Sequence, residues 1–375
     1  MSSKNDGIPL PCLEAFDAAV NSGHLSDFSI VHKKELEIKN NNAMVAPAVR
    51  AGKGQPFIIM DVFNNLNDIP DDFRGAVVTI GNFDGVHRGH QHIFHKVLQE
   101  ARQEKSKAVV ITFEPHPKMV LHPERQPFYL ITSREEKIDR IAETGIDGLL
   151  LIPFSMEFSY TTAREFIHAI LWDRLRIKKI FIGHDYTFGR GREGNETLLT
   201  VAGKELGFAV EVIGAFKIGD VVISSTLTRN LILAGRVKEA ALYLGRPYNL
   251  GGKVIAGHRR GRALGFPTAN LRPDKPLLPA RGIYAVQVLL AGKQRQGVLN
   301  IGFNPTFSDN ALSVEAHIFD FDEEIYEQTL EVLFIDRIRD EMKFDGPAQL
   351  VEQIRRDVET AGEILKQING EPFLS

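Results

Sequence analysis

Between positions 57 and 225, short apolar runs alternate with amphipathic stretches. AVVTI (76–80), AVVITF (108–113), DGLLLIPF (147–154), KIFIG (179–183), FAVEVI (208–213) and VVIS (221–224) read as strands. RGHQHIFHKVLQEARQ (88–103), SREEKIDRIAET (133–144), TAREFIHAILWDRL (162–175) and NETLLTVAGKELG (195–207) read as helices. Ser133 with Glu136, and Thr162 with Glu165, have the spacing of capping boxes, and Asn195 is a good N-cap. Buried-type strands alternating with helices predict a parallel sheet covered on both faces. Ligands of such sheets bind at the carboxyl ends of the strands.

The pattern changes near residue 245. GRPYNLGG (245–252) reads as a linker. GIYAVQVLL (282–290), GVLNIG (297–302), SVEAHIFDF (313–321) and TLEVLFIDRI (329–338) follow as consecutive strands, which predict an antiparallel barrel or sandwich. A last helix starts near Pro347, with Leu350, Ile354, Val358, Ala361, Leu365 and Ile368 on one stripe. Residues 1–56 are polar and read as a loosely ordered extension, with one short helix at LEAFDAAV (13–20). The expected division is therefore 1–56, 57–245 and 246–375.

Composition narrows the function classes. The chain of 375 residues is 43% hydrophobic and 25% charged, enough for real cores. A net charge of −3 argues against a general nucleic-acid binder. The single cysteine, Cys12, permits no intrachain disulfide. No run has the length of a membrane helix, and the first residues carry acids rather than a basic and apolar leader. A cytoplasmic protein without membrane or nucleic-acid partners is expected; the oligomeric state is left open.

Four of the 12 histidines fall between positions 87 and 95. At about 100° per residue, His90 lies on the arc of Phe94, Val97, Leu98 and Ala101, with His87 at its edge. His92 and His95 point to the solvated side. His87 and His90 thus head a core-facing stripe, just after a strand and a Gly-Asn-Phe-Asp-Gly turn. That places them over the sheet's carboxyl edge at a helix start, an anion site. Zinc fits poorly, because no cysteine or well-placed carboxylate completes a ligand set. Asp84 could meet magnesium or fix the turn. GRGREG (189–194) matches a dinucleotide fingerprint literally but follows loop residues instead of joining strand to helix, so it reads as a mobile loop. There is no G-x-x-x-x-G-K-[ST], which excludes a P-loop kinase.

GNFDGVHRGH (81–90) is similar to the G-x-F-D-x-x-H-x-G-H signature of the nucleotidylyltransferases. TFEPHP (112–117) and ISSTLTR (223–229) resemble two further motifs in the same order. Together they resemble the FMN adenylyltransferase module of the prokaryotic bifunctional riboflavin kinase/FAD synthetase family. The resemblance implies a Rossmann-like α/β sheet of nucleotidylyltransferase type. It implies that Gly81, Phe83, Asp84, Gly85, His87, His90, Ser225, Thr226 and Arg229 hold ATP and its phosphates, and that His87 and His90 are catalytic, stabilising charge at the transition state. His116, Asp185 and Phe188 would meet FMN, with His184 in the same segment. Ser225 or Thr226 could also cap the helix that ISSTLTR opens, while Ser224 reads as a plain N-cap. Leu227 stands where the family has an arginine, one cation fewer.

GHRRGRALGFPTANL (257–271) is basic and glycine-rich, but no aromatic ladder for RNA lies beside it. Its Pro-Thr-Ala-Asn resembles the riboflavin kinase signature, and GIYAV, GVLNIGFNPTF, VEAHIFDF and RDEMKF follow as in that family. The resemblance implies an antiparallel β-barrel with a C-terminal helix. Gly265, Pro267, Thr268 and Asn270 would bind ATP, with Thr268 and Asn270 also on magnesium, a cation that prefers hard oxygen donors. Glu315 would act as base on riboflavin, and Arg339 would border the flavin. Glu327 replaces a family glycine after Tyr326, which suggests a local change of turn. The implied substrates and products are riboflavin, FMN, FAD and ATP, with Mg2+ or another divalent cation as cofactor.

Overall fold

The computed structural model describes residues 60–125, 127–257, 261, 264–303 and 312–368. The expected helix at 13–20, the extension 1–56, residues 258–260 and 262–263 of the basic segment, and the NPTF segment lie outside the described residues.

Six parallel strands form the first sheet: β1 (Asp61–Phe63), β2 (Val77–Ile80), β3 (Ala108–Glu114), β4 (Gly148–Pro153), β5 (Lys179–Gly183) and β6 (Ala209–Ile213). Their order is β1-β4-β3-β2-β5-β6, so the chain changes direction of travel across the sheet at β2. A crevice outside the carboxyl ends is the usual result at such a point. The helices are α1 (Arg88–Gln103), α2 (Pro117–Leu121), α3 (Arg134–Ala142), α4 (Ala163–Phe166), α5 (Glu196–Leu206), α6 (Ser225–Leu233) and α7 (Val237–Leu244). Successive strand residues face opposite sides. Val77, Val110 and Leu149 pack on Phe94, Val97 and Ile141 of α1 and α3. Val78, Val109 and Leu150 pack on the other layer, with Phe166 and Leu199 of α4 and α5. Each fully buried side chain of this kind stabilises the fold by roughly 1.5–3 kcal/mol.

Both capping boxes form as expected, at Ser133/Glu136 and Thr162/Glu165, and Asn195 caps α5. The segment 162–175 departs from a plain α-helix. After Phe166 it continues as a π-helix, Ile167–Arg174, in which the Leu175 N–H reaches the Ile170 carbonyl at 3.2 Å. Trp172 lies on this turn with the Arg176 guanidinium over its ring. The apolar run VVIS does not join the sheet. β7 (Lys217–Ile218) and β8 (Val221–Val222) form a separate ribbon with both valines exposed.

The second half is a closed barrel, not a sandwich. Its strands are β9 (Tyr248–Ile255), β10 (Ala269–Pro273), β11 (Gly282–Leu290), β12 (Lys293–Phe303), β13 (Leu312–Ile318) and β14 (Thr329–Arg339), in the order β10-β13-β12-β11-β14-β9. Tyr284, Val286, Leu299, Val314, Ala316, Val332 and Phe334 fill its inside. Helix α8 (Pro347–Ile368) lays Ala361 and Leu365 on Ile283, Ala285 and Ile335 outside it. The expected linker 245–252 is mostly strand. Tyr248 to Gly252 pair with β14 and are buried, so the connection shrinks to Gly245, Arg246 and Pro247. Glycines hid the apolar alternation of β9.

Candidate active sites

The turn after β2 is built on left-handed backbone. Phe83, Gly85 and Val86 have φ of 49°, 83° and 42°. A Cβ on Gly81 would come within 2.9 Å of the Phe83 ring, so a side chain there would displace the ring. Phe83 in turn packs edge-on against His90 and Phe94. The turn thus fixes the start of α1. His87 is its N-cap, its Nδ1 accepting the His90 N–H at 3.4 Å. The two imidazoles stack with centroids 3.6 Å apart. Burial, first of all, pushes His87 down to about 4, and the Arg246 charge adds to this. Burial and the neighbouring His87 hold His90 well below the usual histidine range. Both rings are therefore neutral near pH 7 and offer N–H donors. His95 is exposed as expected, but His92 is half-buried against the Phe216 ring.

Asp84 is buried and fixes this turn. Its Oδ1 accepts the N–H groups of Ile131 at 2.9 Å and Thr132 at 3.3 Å. Its Oδ2 pairs with Arg229 at 2.7 Å. Arg229 also donates through Nε to the Tyr129 carbonyl at 2.6 Å and lies over Phe128. Helix α6 is capped by Ser224, whose Oγ accepts the Leu227 N–H at 3.2 Å. Ser225 is not the cap. It donates to the Asp84 carbonyl at 2.9 Å, tying the α6 start to the turn. Thr226 is exposed on the cleft wall.

One cleft gathers most of these groups. Gly81, Phe83, Asp84, His87, His90, His116, Asp185, Ser225, Thr226 and Arg229 all line it. His116 caps α2, and burial pushes it down to about 3, helped by Lys137, Lys118 and Arg229. Phe188 is not among the lining residues. It is 8% exposed and packs on Tyr186 and Phe166 in the sheet core. Tyr186 and Thr187 take the place on the wall. Gly85 lies behind the surface, donating its N–H to Thr132 Oγ1 at 3.1 Å. The motif reading missed Lys118, Phe128 and Arg192, which also line the cleft. Lys118 stands two residues after His116 and Arg192 within GRGREG, so proximity to those segments was the signal available. GRGREG is a tied turn and not a loose loop: Arg190 N–H donates to Thr161 O, and Glu193 accepts the Ala163 N–H.

On the barrel, Thr268, Asn270 and Glu315 converge. Asn270 lies opposite Glu315 in the β10–β13 ladder, and Thr268 Oγ1 is 3.5 Å from Glu315 Oε2. Val314, Ala316 and Ile318 point inward while Glu315 and His317 stay half-buried on the outer face, as alternation requires. His317 Nδ1 donates to the Pro267 carbonyl at 2.8 Å. Gly257 lets this segment close on Asn270: a Cβ there would lie 2.2 Å from Asn270 Nδ2. Pro267 and Thr268 form one wall of a cleft whose other wall is the 321–326 segment, and Gly265 is exposed at φ 86° beyond it. Arg339 pairs with the last helix. Its guanidinium grips Asp357 of α8 with two bonds, 2.8 and 2.6 Å, and Asp357 is 3% exposed. A buried carboxylate of matching geometry makes it a tie between barrel and helix.

The FAD synthetase family matches residues 69–227, and the riboflavin kinase family matches residues 244–365. The bifunctional riboflavin kinase/FMN adenylyltransferase of Escherichia coli strain K12 is 38% identical over 80% of this chain and 95% of its own. The chain belongs to the bifunctional riboflavin kinase/FMN adenylyltransferase family. The protein of that name from Haemophilus influenzae is 37% identical, over 80% of this chain and 98% of its own. A crystal structure described as a macrolide-efflux protein from Streptococcus pneumoniae superposes with a TM-score of 0.72 at 37% identity, over 80% of this chain and 97% of that one. Among the described residues here, no helix is long and apolar enough to cross a membrane.

Two departures from the family motifs resolve in the structure. Leu227 packs against the core shared by α6, α7 and the barrel, and it is not on the cleft wall. Glu327 stands in a left-handed turn, with φ 67°, and pairs with Lys253. A side chain there occupies a conformation that favours glycine.

Proposed function

We propose that this member of the family carries two successive ATP-dependent activities. Residues 246–375 phosphorylate riboflavin to FMN. Residues 57–245 adenylylate FMN to FAD and release pyrophosphate. The observation that carries this reading is the gathering of His87, His90, Thr226 and Arg229 on one cleft beside a helix start, together with a second, separate cluster of Thr268, Asn270 and Glu315 on the barrel. The single cysteine and the use of ATP favour a cytoplasmic setting.

Adenylylation needs no base, because the FMN phosphate is already mostly dianionic near pH 7. It needs positive charge and N–H donors around the α-phosphorus and the leaving pyrophosphate. His87 and His90 offer neutral N–H groups to an arriving triphosphate. Its negative charge raises both histidines toward protonation, so the cation forms where charge develops. Arg229, held by Asp84 and Tyr129 O, presents a fixed guanidinium to the same space. Asp84 is occupied by three partners and acts on the turn, not on a metal.

Phosphorylation differs, because its nucleophile is a neutral ribityl hydroxyl. Glu315 would take that proton, a role worth typically 10²–10⁴-fold. Thr268 and Asn270 are hard oxygen donors beside it and fit magnesium, which binds few protein ligands and keeps several waters. When bound, the ion neutralises charge on the transferred phosphoryl group. The test is chromatography of flavins over time, with the purified protein, riboflavin, ATP and magnesium. FMN rising first and FAD following is the expected result; absence of both products overturns the reading.

A further inference from the structure

Lys275 leaves the barrel just after β10 and is only 6% exposed. Its Nζ donates to both carboxylate oxygens of Glu136, at 2.9 and 2.7 Å, and to the Ile131 carbonyl at 3.1 Å. Glu136 is the acid of the α3 capping box, and Asn249 of β9 donates to it at 2.6 Å. The other side of this contact is the adenylylation cleft. The Ile131 N–H holds Asp84 Oδ1, and Asp84 Oδ2 holds Arg229. An unbroken line of hydrogen bonds therefore runs from a barrel lysine, through one residue of the 129–132 strut, to a cleft arginine. Arg246, half-buried at the junction, adds a second cation by donating to the Gly85 carbonyl at 3.0 Å. A buried ion pair rarely stabilises a fold more than well-packed apolar groups would. Stability alone does not account for a lysine here.

We propose that Lys275 is a positioning residue for adenylyl transfer, although it belongs to the barrel: it fixes the Ile131 peptide and thereby the aim of the Asp84–Arg229 pair. This rests on the reading that the α/β cleft makes FAD.

The test uses the full chain and a double variant, Lys275→Met with Glu136→Gln. Removing both charges leaves neither buried alone, and glutamine can still serve the capping box. Both activities are measured on the same preparation: FAD from supplied FMN, and FMN from riboflavin. Their ratio is corrected for the folded fraction of the α/β half, read from the emission of the single tryptophan, Trp172. The expected result is a fall of about tenfold or more in that ratio, in kcat for FAD formation, with KM for FMN within about twofold. A ratio within about twofold of the parent overturns the proposal, and so does a loss confined to KM for FMN. A parent chain that makes FMN but no FAD removes the adenylylation reading itself, and the proposal with it.

Discussion

Asn270 and Glu315 face each other across two strands of the barrel, with the Thr268 hydroxyl beside the same carboxylate. The proposed base and the two proposed magnesium ligands are thereby held on rigid backbone. Glu315→Gln keeps shape and hydrogen bonding but removes proton affinity. FMN formation should fall by about 10²-fold or more, while FAD formation from supplied FMN stays intact. Normal kinase turnover in this variant would exclude Glu315 as the base.

His90→Ala should do the reverse. Losing one preorganised donor to a developing oxyanion costs about 10²–10³-fold in kcat. FAD formation should drop by that order and riboflavin phosphorylation should not. Equal FAD rates with and without the imidazole would remove His90 from the chemistry.

Leu227→Arg is the substitution that the family motif invites. Because Leu227 is partly buried against the core and not on the cleft, the arginine should leave FAD turnover within about twofold and lower Tm by a few degrees. A clear gain in FAD turnover would mean that position 227 does reach the triphosphate.

Acid should destabilise the chain through its buried histidines. His87 titrates at about 4 and His116 at about 3 when folded, against about 6.5 when unfolded. The unfolded chain therefore takes up protons first. Stability is complete above about pH 6.5 and is lost as pH falls toward the folded values, by up to about 1.4 kcal/mol per pH unit for each group. Denaturant midpoints between pH 7 and pH 5 measure the slope. His116→Asn should flatten it; an unchanged slope would show that His116 protonates freely in the folded state.

Glu327→Gly should raise Tm by about 2–4 °C, as the backbone at φ 67° is relieved. Its exposed pair with Lys253 offsets little of that. A lower Tm would mean that the ion pair outweighs the strained turn.

Much of this was legible in the residues. Helix α1 begins and ends where its polar and apolar periods do, because His87 caps it and Phe94, Val97 and Leu98 are its buried stripe. The two capping boxes located α3 and α4. What stayed hidden depended on distant partners. Tyr248 to Gly252 looked like a linker because the adjacent Gly251 and Gly252, one on each face, interrupt the alternation of Tyr248, Leu250 and Val254. β10 was absorbed into a motif rich in Pro, Thr and Asn, and only its pairing with β9 and β13 makes it a strand. Phe188 and Arg339 sit in motif segments, yet neighbours from α4 and α8 draw them into packing and an ion pair. Lys275 carried no local signal, since its partner Glu136 lies 139 positions away.

The chain has a single tryptophan, and the π-helical turn holds it on the far layer of the sheet, partly buried against the core on that side. The barrel half has tyrosines and phenylalanines but no tryptophan. Indole emission therefore reports the folding state of one half of the molecule, leaving the other optically silent at that wavelength. A denaturation curve followed by tryptophan can be laid beside one followed by circular dichroism. Their coincidence or separation measures whether sheet and barrel melt as one cooperative unit.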